Sequence, residues 1–148
     1  MKAARLVGPR QFEILDVDTP TPKAGEVLVR MEYASICGSD LLTYDRVLPE
    51  EDYPLRVGLP CHETSGIVEE SMDESLKKGD RVVALTYTGG LMEYTTIAAN
   101  RCILVPPSVV PARRGSTDGC SAVRMRAAGP CAGSVGRWSA SAANEGGS

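Results

Sequence analysis

Glu26-Val27-Leu28-Val29-Arg30-Met31-Glu32-Tyr33-Ala34 is the stretch on which the fold turns. Val27, Val29, Met31 and Tyr33 recur every second position, the period of a strand with one face against a core. Pro20-Thr21-Pro22 and Gly25 mark the loop before it. Working outward, Lys2 to Val7 and Phe12 to Val17 are short apolar runs separated by Gly8-Pro9, a turn signal. Downstream, Ile67 to Glu69, Arg81 to Thr86, Met92 to Ala98 and Cys102 to Val105 are further strand candidates, bounded by Gly79-Asp80 and Gly89-Gly90. Six or seven short strands with turns between them predict a mainly β fold, a compact barrel or sandwich. Ser39-Asp40 is the helix start, with Ser39 as cap of a short turn through Leu41-Leu42-Thr43-Tyr44.

Composition narrows the function. The chain has 148 residues, a formal charge of −3, one histidine and five cysteines. A slightly acidic balance gives no general attraction to phosphate backbones, which argues against nucleic acid as a partner. No apolar run approaches the length of a membrane span, and the first ten residues have no signal-peptide core, so a cytoplasmic protein is the expectation. Five cysteines, an odd number, read as reduced thiols or metal ligands rather than a disulfide framework.

The charge is unevenly spread. Residues 1–111 hold eleven of the sixteen Lys and Arg and seventeen of the nineteen Asp and Glu, a local charge of −6. Residues 112–148 carry +3, contain no Leu, Ile, Phe, Tyr or Lys, and consist mostly of Ala, Gly, Ser and Arg. Their large apolar side chains are Val123, Met125, Val135 and Trp138, too few to offset the entropy of ordering the segment. The expectation is one domain over 1–111 followed by a disordered low-complexity tail. Such a break is also what a reading-frame shift in a GC-rich gene leaves.

Two short segments concentrate the chemistry. Cys37-Gly38-Ser39-Asp40 follows the Glu26–Ala34 strand, and Cys61-His62-Glu63-Thr64-Ser65-Gly66 places the chain's one histidine 25 positions after Cys37. Thiolate, imidazole and carboxylate are ligand types that catalytic zinc accepts, with one position left open for water or substrate. Asp40 could accept the second ring N–H of His62 and fix its tautomer. By themselves these residues are weak signals: a His beside a Cys is more often structural than a ligand, and Asp40 and Glu63 read equally as a cap and a solvated charge.

The motif order is more specific. Met1-Lys2-Ala3, Gly25-Glu26-Val27-Leu28-Val29, Cys37-Gly38-Ser39-Asp40, His62-Glu63 with Gly66 and Val68, Gly79-Asp80-Arg81-Val82, Gly89-Gly90 with Glu93-Tyr94, and Val105-Pro106 occur in that order. Over residues 1 to about 110 the chain resembles the N-terminal catalytic domain of the zinc-dependent medium-chain alcohol and polyol dehydrogenases. The resemblance implies a GroES-like, partly open β-barrel with one or two short helices. It implies Cys37 and His62 as zinc ligands and Glu63 as a neighbouring carboxylate that ligates or approaches the metal. Ser39 would take the alcohol proton, and Asp40 would stand behind the histidine. The implied reaction interconverts an alcohol or polyol and its carbonyl, with hydride passing to a nicotinamide cofactor, NAD or NADP. Family members are often homo-oligomers.

Departures from the family pattern refine these expectations. Cys61 stands where the family has Gly, a position where a thiol could crowd the turn or put a second sulfur near the metal. Leu42 stands where many polyol-dehydrogenase-like members continue the proton relay with histidine. The four-cysteine lobe of a structural zinc is absent, so at most one zinc is expected, and Cys102 reads as a small core residue. Cys131-Ala132-Gly133-Ser134-Val135-Gly136 imitates a dinucleotide fingerprint without its first glycine and with twelve residues after it. No cofactor-binding residues are therefore assigned, and NAD or NADP is not expected to bind this chain. Asp118 and Cys120 lie where a third ligand would be sought. The sequence thus reads as the catalytic-domain part of a zinc-dependent oxidoreductase, inactive alone for want of a cofactor domain. The alternatives are a non-catalytic GroES-like fold that binds zinc weakly or a partner protein, and a zinc-free quinone-reductase-like relative.

Overall fold

The computed structural model describes residues 1–87 and 89–109, together with the backbone of the strand at 121–124. The remainder of the expected tail, including Asp118, Cys120 and the Cys131–Gly136 run, lies outside the described residues. The strands are β1 (Lys2–Gly8), β2 (Gln11–Asp16), β3 (Glu26–Ile36), β4 (Glu63–Ser71), β5 (Arg81–Leu85), β6 (Tyr94–Ala98), β7 (Cys102–Leu104) and β8 (Ser121–Arg124). One α-helix, α1 (Gly38–Asp45), and two 3-10 turns, Glu50–Asp52 and Ala99–Arg101, complete the described elements. This is the mainly β, GroES-like architecture that the motifs implied. Its strands form open sheets rather than a closed barrel: a β1–β2 hairpin and a six-stranded sheet ordered β6-β3-β4-β5-β7, with β8 also on β3.

β3 is the spine of the larger sheet. One edge pairs antiparallel with β4 from Val27↔Ser71 to Ser35↔Glu63. β6 pairs with Glu26–Arg30, and β8 with Tyr33–Ile36. The hairpin is joined to this sheet through the segment before β6. Ala4 N–H donates to Leu91 O at 2.8 Å, Glu93 N–H to Lys2 O at 3.1 Å, and Met31 N–H to Glu93 O at 2.8 Å. The core gathers Val27, Val29, Met31, Ala34, Cys61, Val68, Leu76, Val82, Ala84 and Ile97.

The alternation in β3 holds only to Met31. The β3–β4 register shifts between Met31 and Tyr33, so Ala34 becomes the buried residue and Tyr33 turns partly outward. An extra residue in one strand exchanges the faces beyond it. Gly66 lies opposite Met31 next to this shift, and a Cβ there would stand 2.1 Å from Arg30 O, so glycine is what permits the two backbones to approach. β4 also begins earlier than its apolar run, at Glu63 rather than Ile67. Polar Thr64 is buried in it because its hydroxyl donates to Ala84 O at 3.0 Å.

Candidate metal centre

The end of β3 and the start of β4 bring the two chemical segments together. The pairing Ser35↔Glu63 closes the 25-position gap between Cys37 and His62. Cys37 follows β3 directly and is the N-cap of α1, with φ −109° and ψ 176°. The cap therefore lies two residues before the expected one, and Ser39 sits inside the first turn of the helix. Asp40 is the cause. Its Oδ2 accepts the Cys37 N–H at 2.9 Å, half of a capping box that satisfies a free donor at the helix start.

The other carboxylate oxygen faces the histidine. His62 Nδ1 lies 3.0 Å from Asp40 Oδ1, so the imidazole donates from Nδ1 and leaves Nε2 as a lone-pair donor. Cys37 Sγ stands 3.8 Å from Nε2, and Ser39 Oγ is 3.0 Å from the same sulfur. Asp40 is 2% exposed, and Cys37 and His62 are partly exposed. Each of Cys37, Asp40 and His62 offers a ligand atom within 4.8 Å of the others, a group that could hold a metal ion. Because Asp40 already serves Nδ1 and the Cys37 amide, the atoms left to face a metal are Cys37 Sγ and His62 Nε2. A thiol sulfur and an imidazole nitrogen are a donor pair that suits zinc.

Glu63 is close but separate. Its Oε1 is 4.0 Å from His62 Nε2, and it does not join the group formed by the other three. Leu42 is exposed on α1 and offers no polar atom where a relay group was sought. Cys61 does not add a sulfur to the group. Its thiol turns inward and donates to Ser35 O at 3.3 Å, and burial, helped by the charge of Asp40, pushes it up to about 12. The crowding expected there is relieved by Gly90, where a Cβ would meet Cys61 O at 2.1 Å. Cys102 is partly buried and packs against the core, and burial raises its thiol to about 11.

Thr86 was invisible in the sequence. It is buried one residue past β5, and both its N–H (2.7 Å) and its hydroxyl (3.3 Å) donate to His62 O. This holds the peptide of the histidine, while Asp40 holds its ring. A threonine that acts through a backbone carbonyl leaves no motif to read.

Known proteins share this arrangement of strands. An acryloyl-coenzyme A reductase of Sulfurisphaera tokodaii is 36% identical over 102 residues, which cover 66% of this chain and 29% of that protein. An S-(hydroxymethyl)glutathione dehydrogenase of Photobacterium damsela subsp. piscicida is 36% identical over 110 residues, 70% of this chain and 29% of its own. The chain thus spans less than a third of the length of these relatives. Among solved structures, a short chain alcohol dehydrogenase from Escherichia coli CFT073, complexed with NADH, superposes with a TM-score of 0.60 at 26% identity. That match covers 74% of this chain and 40% of the other. The model of the alcohol dehydrogenase GroES-like domain matches residues 23–107, more than half of the chain, and the chain belongs to that family of medium-chain oxidoreductases.

Proposed function

We propose that the chain is the catalytic-domain part of a zinc-dependent oxidoreductase that interconverts an alcohol or polyol and its carbonyl with a nicotinamide cofactor. One observation carries the reading: Cys37 Sγ and His62 Nε2 stand 3.8 Å apart while Asp40 occupies the other ring nitrogen. Zinc bonds of about 2.3 Å to sulfur and 2.0–2.1 Å to nitrogen at a tetrahedral angle set that separation at about 3.6 Å. The donor set and its spacing fit zinc. Cys37 and His62 would hold it, with Glu63 near enough to reach it, and the metal would supply Lewis acidity toward a substrate oxygen.

The chain's own residues do the rest. Asp40 keeps His62 in the tautomer with a free Nε2 and pins the start of α1. Ser39 Oγ, 3.0 Å from the Cys37 sulfur, would take the hydroxyl proton of the alcohol. Thr86 fixes the backbone of His62. With Leu42 in place of a relay histidine, proton exit would need water or another group. β8 brings Ser121 opposite Ile36, the residue before Cys37, while Asp118 and Cys120, where a third ligand would be sought, lie outside the described residues. Zinc and a small-molecule alcohol or polyol are the ligands of this reading, in the cytoplasm, and none of the described helices is long and apolar enough to cross a membrane.

Zinc content of the purified chain tests it. Near-stoichiometric zinc in the unaltered protein, with strong loss in Cys37→Ser and His62→Ala, is the expected result. Equal zinc in all three would remove the metal site and leave the non-catalytic GroES-like fold.

A further inference from the structure

We propose that the turn of the β1–β2 hairpin is a positioning device for the metal centre, with Arg10 and Tyr44 as positioning residues that act on Cys37, Ser39 and Asp40 through α1. The inference rests on the reading of Cys37 and His62 as a metal site. α1 has eight residues, and an isolated helix of that length is not stable in water. It has no apolar face to hold it against the body: Asp40 is its buried residue, while Leu41 and Leu42 are 53% and 75% exposed. Its orientation must be set at its two ends.

The N-terminal end is the metal site itself. Asp40 ties it to the Cys37 amide and to His62. The C-terminal end is tied to the hairpin turn. Arg10 N–H donates to Tyr44 O at 2.9 Å, Tyr44 OH donates to Arg10 O at 3.3 Å, and Arg10 Nε donates to Asp45 Oδ1 at 2.7 Å. The rings of Phe12 and Tyr44 stack, with centroids 5.7 Å apart and planes 15° from parallel. Backbone, side chain and ring thus clamp the last turn of the helix to one corner of the hairpin.

The lever is short and the tolerance small. At about 1.5 Å per residue α1 is about 10 Å long, so a tilt of about 10° about its far end moves the first turn by about 2 Å. A functional constellation tolerates displacements of about 0.5 Å. An exposed ion pair such as Arg10–Asp45 adds little to stability, so its consequence is orientation rather than folding. Arg10 also has φ 61°, a left-handed conformation in which glycine would be less strained.

That strain gives a test that separates the two roles. Arg10→Gly relieves the backbone and keeps the amide that meets Tyr44, but removes the guanidinium from Asp45. The experiment uses the full 148-residue chain, a chromophoric chelator competing for zinc, the d–d bands of the cobalt-substituted protein, and thermal melting. The expected result is a Tm at or above that of the unaltered chain with zinc binding weakened about threefold to tenfold. This is less than the 10–100-fold of groups bonded directly to a ligand. Shifted cobalt bands accompany the loss, and Arg10→Lys, which keeps a charge beside Asp45, restores most of it. Zinc affinity and cobalt bands unchanged in Arg10→Gly overturn the proposal. Should Arg10→Gly lower the Tm, Asp45→Asn and Tyr44→Phe decide in the same way: weaker zinc at unchanged Tm supports the clamp, and unaltered zinc binding refutes it. Failure of the underlying metal reading shows itself separately, as an unaltered chain that binds no zinc.

Discussion

Replacing Asp40 by asparagine asks the most of the site reading. The carboxylate accepts on both sides, from Cys37 N–H at 2.9 Å and toward His62 Nδ1 at 3.0 Å. An amide of the same shape accepts on one side and donates on the other. If the oxygen stays on Cys37 N–H, the NH2 faces Nδ1, and the imidazole must carry its proton on Nε2, the atom that should meet the metal. If the amide flips, two N–H donors oppose each other at the start of α1, which forfeits a cap of about 0.5–2 kcal/mol and leaves a buried donor unpaired for about 1–3 kcal/mol. The first arrangement is the less costly, so Asp40→Asn is expected to fold and to hold the wrong tautomer. Zinc affinity then falls about 10–100-fold, or about 1.4–2.8 kcal/mol, with a small change in Tm. Asp40→Ala leaves both donors without a partner and is expected to lower the Tm as well, by about 4–8 °C for each kcal/mol lost. Competition titration with a chromophoric chelator measures the first effect and differential scanning calorimetry the second. Zinc binding by Asp40→Asn equal to that of the unaltered chain would refute the assignment of Nε2 as ligand and Asp40 as its tautomer lock.

Other consequences are open to measurement. The Arg30 guanidinium, bonded to Glu69 at 2.8 Å, holds that carboxyl below its usual 4.5. As the pH falls the unfolded chain takes up the proton first, so this stability is complete above about 4.5 and is lost as the pH drops through the lower folded value. Glu69→Gln should flatten that part of an acid-unfolding curve, and an unchanged curve would contradict the pairing. Gly90→Ala forces a Cβ to within 2.1 Å of Cys61 O and is expected to cost about 1–3 kcal/mol, read as a lowered urea midpoint. A midpoint unaffected by that methyl group would show that Cys61 is not pressed against the Gly90 backbone. Cys61, fully buried with its thiol near 12, should resist iodoacetamide in the folded, metal-free chain, while Cys37 reacts. Peptide mapping that finds Cys61 alkylated at the rate of Cys37 would place its thiol on the surface.

The strands were legible where burial is one-sided and regular. Lys2–Gly8 and Arg81–Leu85 fall within one residue of their apolar runs because each is bounded by a turn. The first half of β4 was not legible, since Glu63-Thr64-Ser65-Gly66 is polar and is held by a threonine–carbonyl bond and a close backbone approach. The change of face at Tyr33 follows from a register shift between two strands, which neither strand states alone. At the site, the residue types of Cys37, Asp40 and His62 were readable, but their proximity depends on the pairing of residues far apart in sequence. The helix start was misplaced because Ser39 and Asp40 are both good caps, and the choice is made by the carboxylate reaching back to Cys37. Thr86 acts on a backbone carbonyl and Arg10 on the far end of α1, and neither left a pattern.

The arrangement around β3 also bears on how quickly this molecule can reach its native state. Its partners arrive late along the chain: Ser35 waits for Glu63, Arg30 for Tyr94, and Tyr33 for Arg124, ninety-one positions away. Each pairing must close a long loop before it gains anything from its ladder, the regime in which folding takes milliseconds to seconds rather than microseconds. During synthesis β3 emerges early with most of its hydrogen-bonding edge bare. Arg30 and Glu32, both charged and within that edge, are suited to keeping it from pairing with a neighbouring chain during the wait.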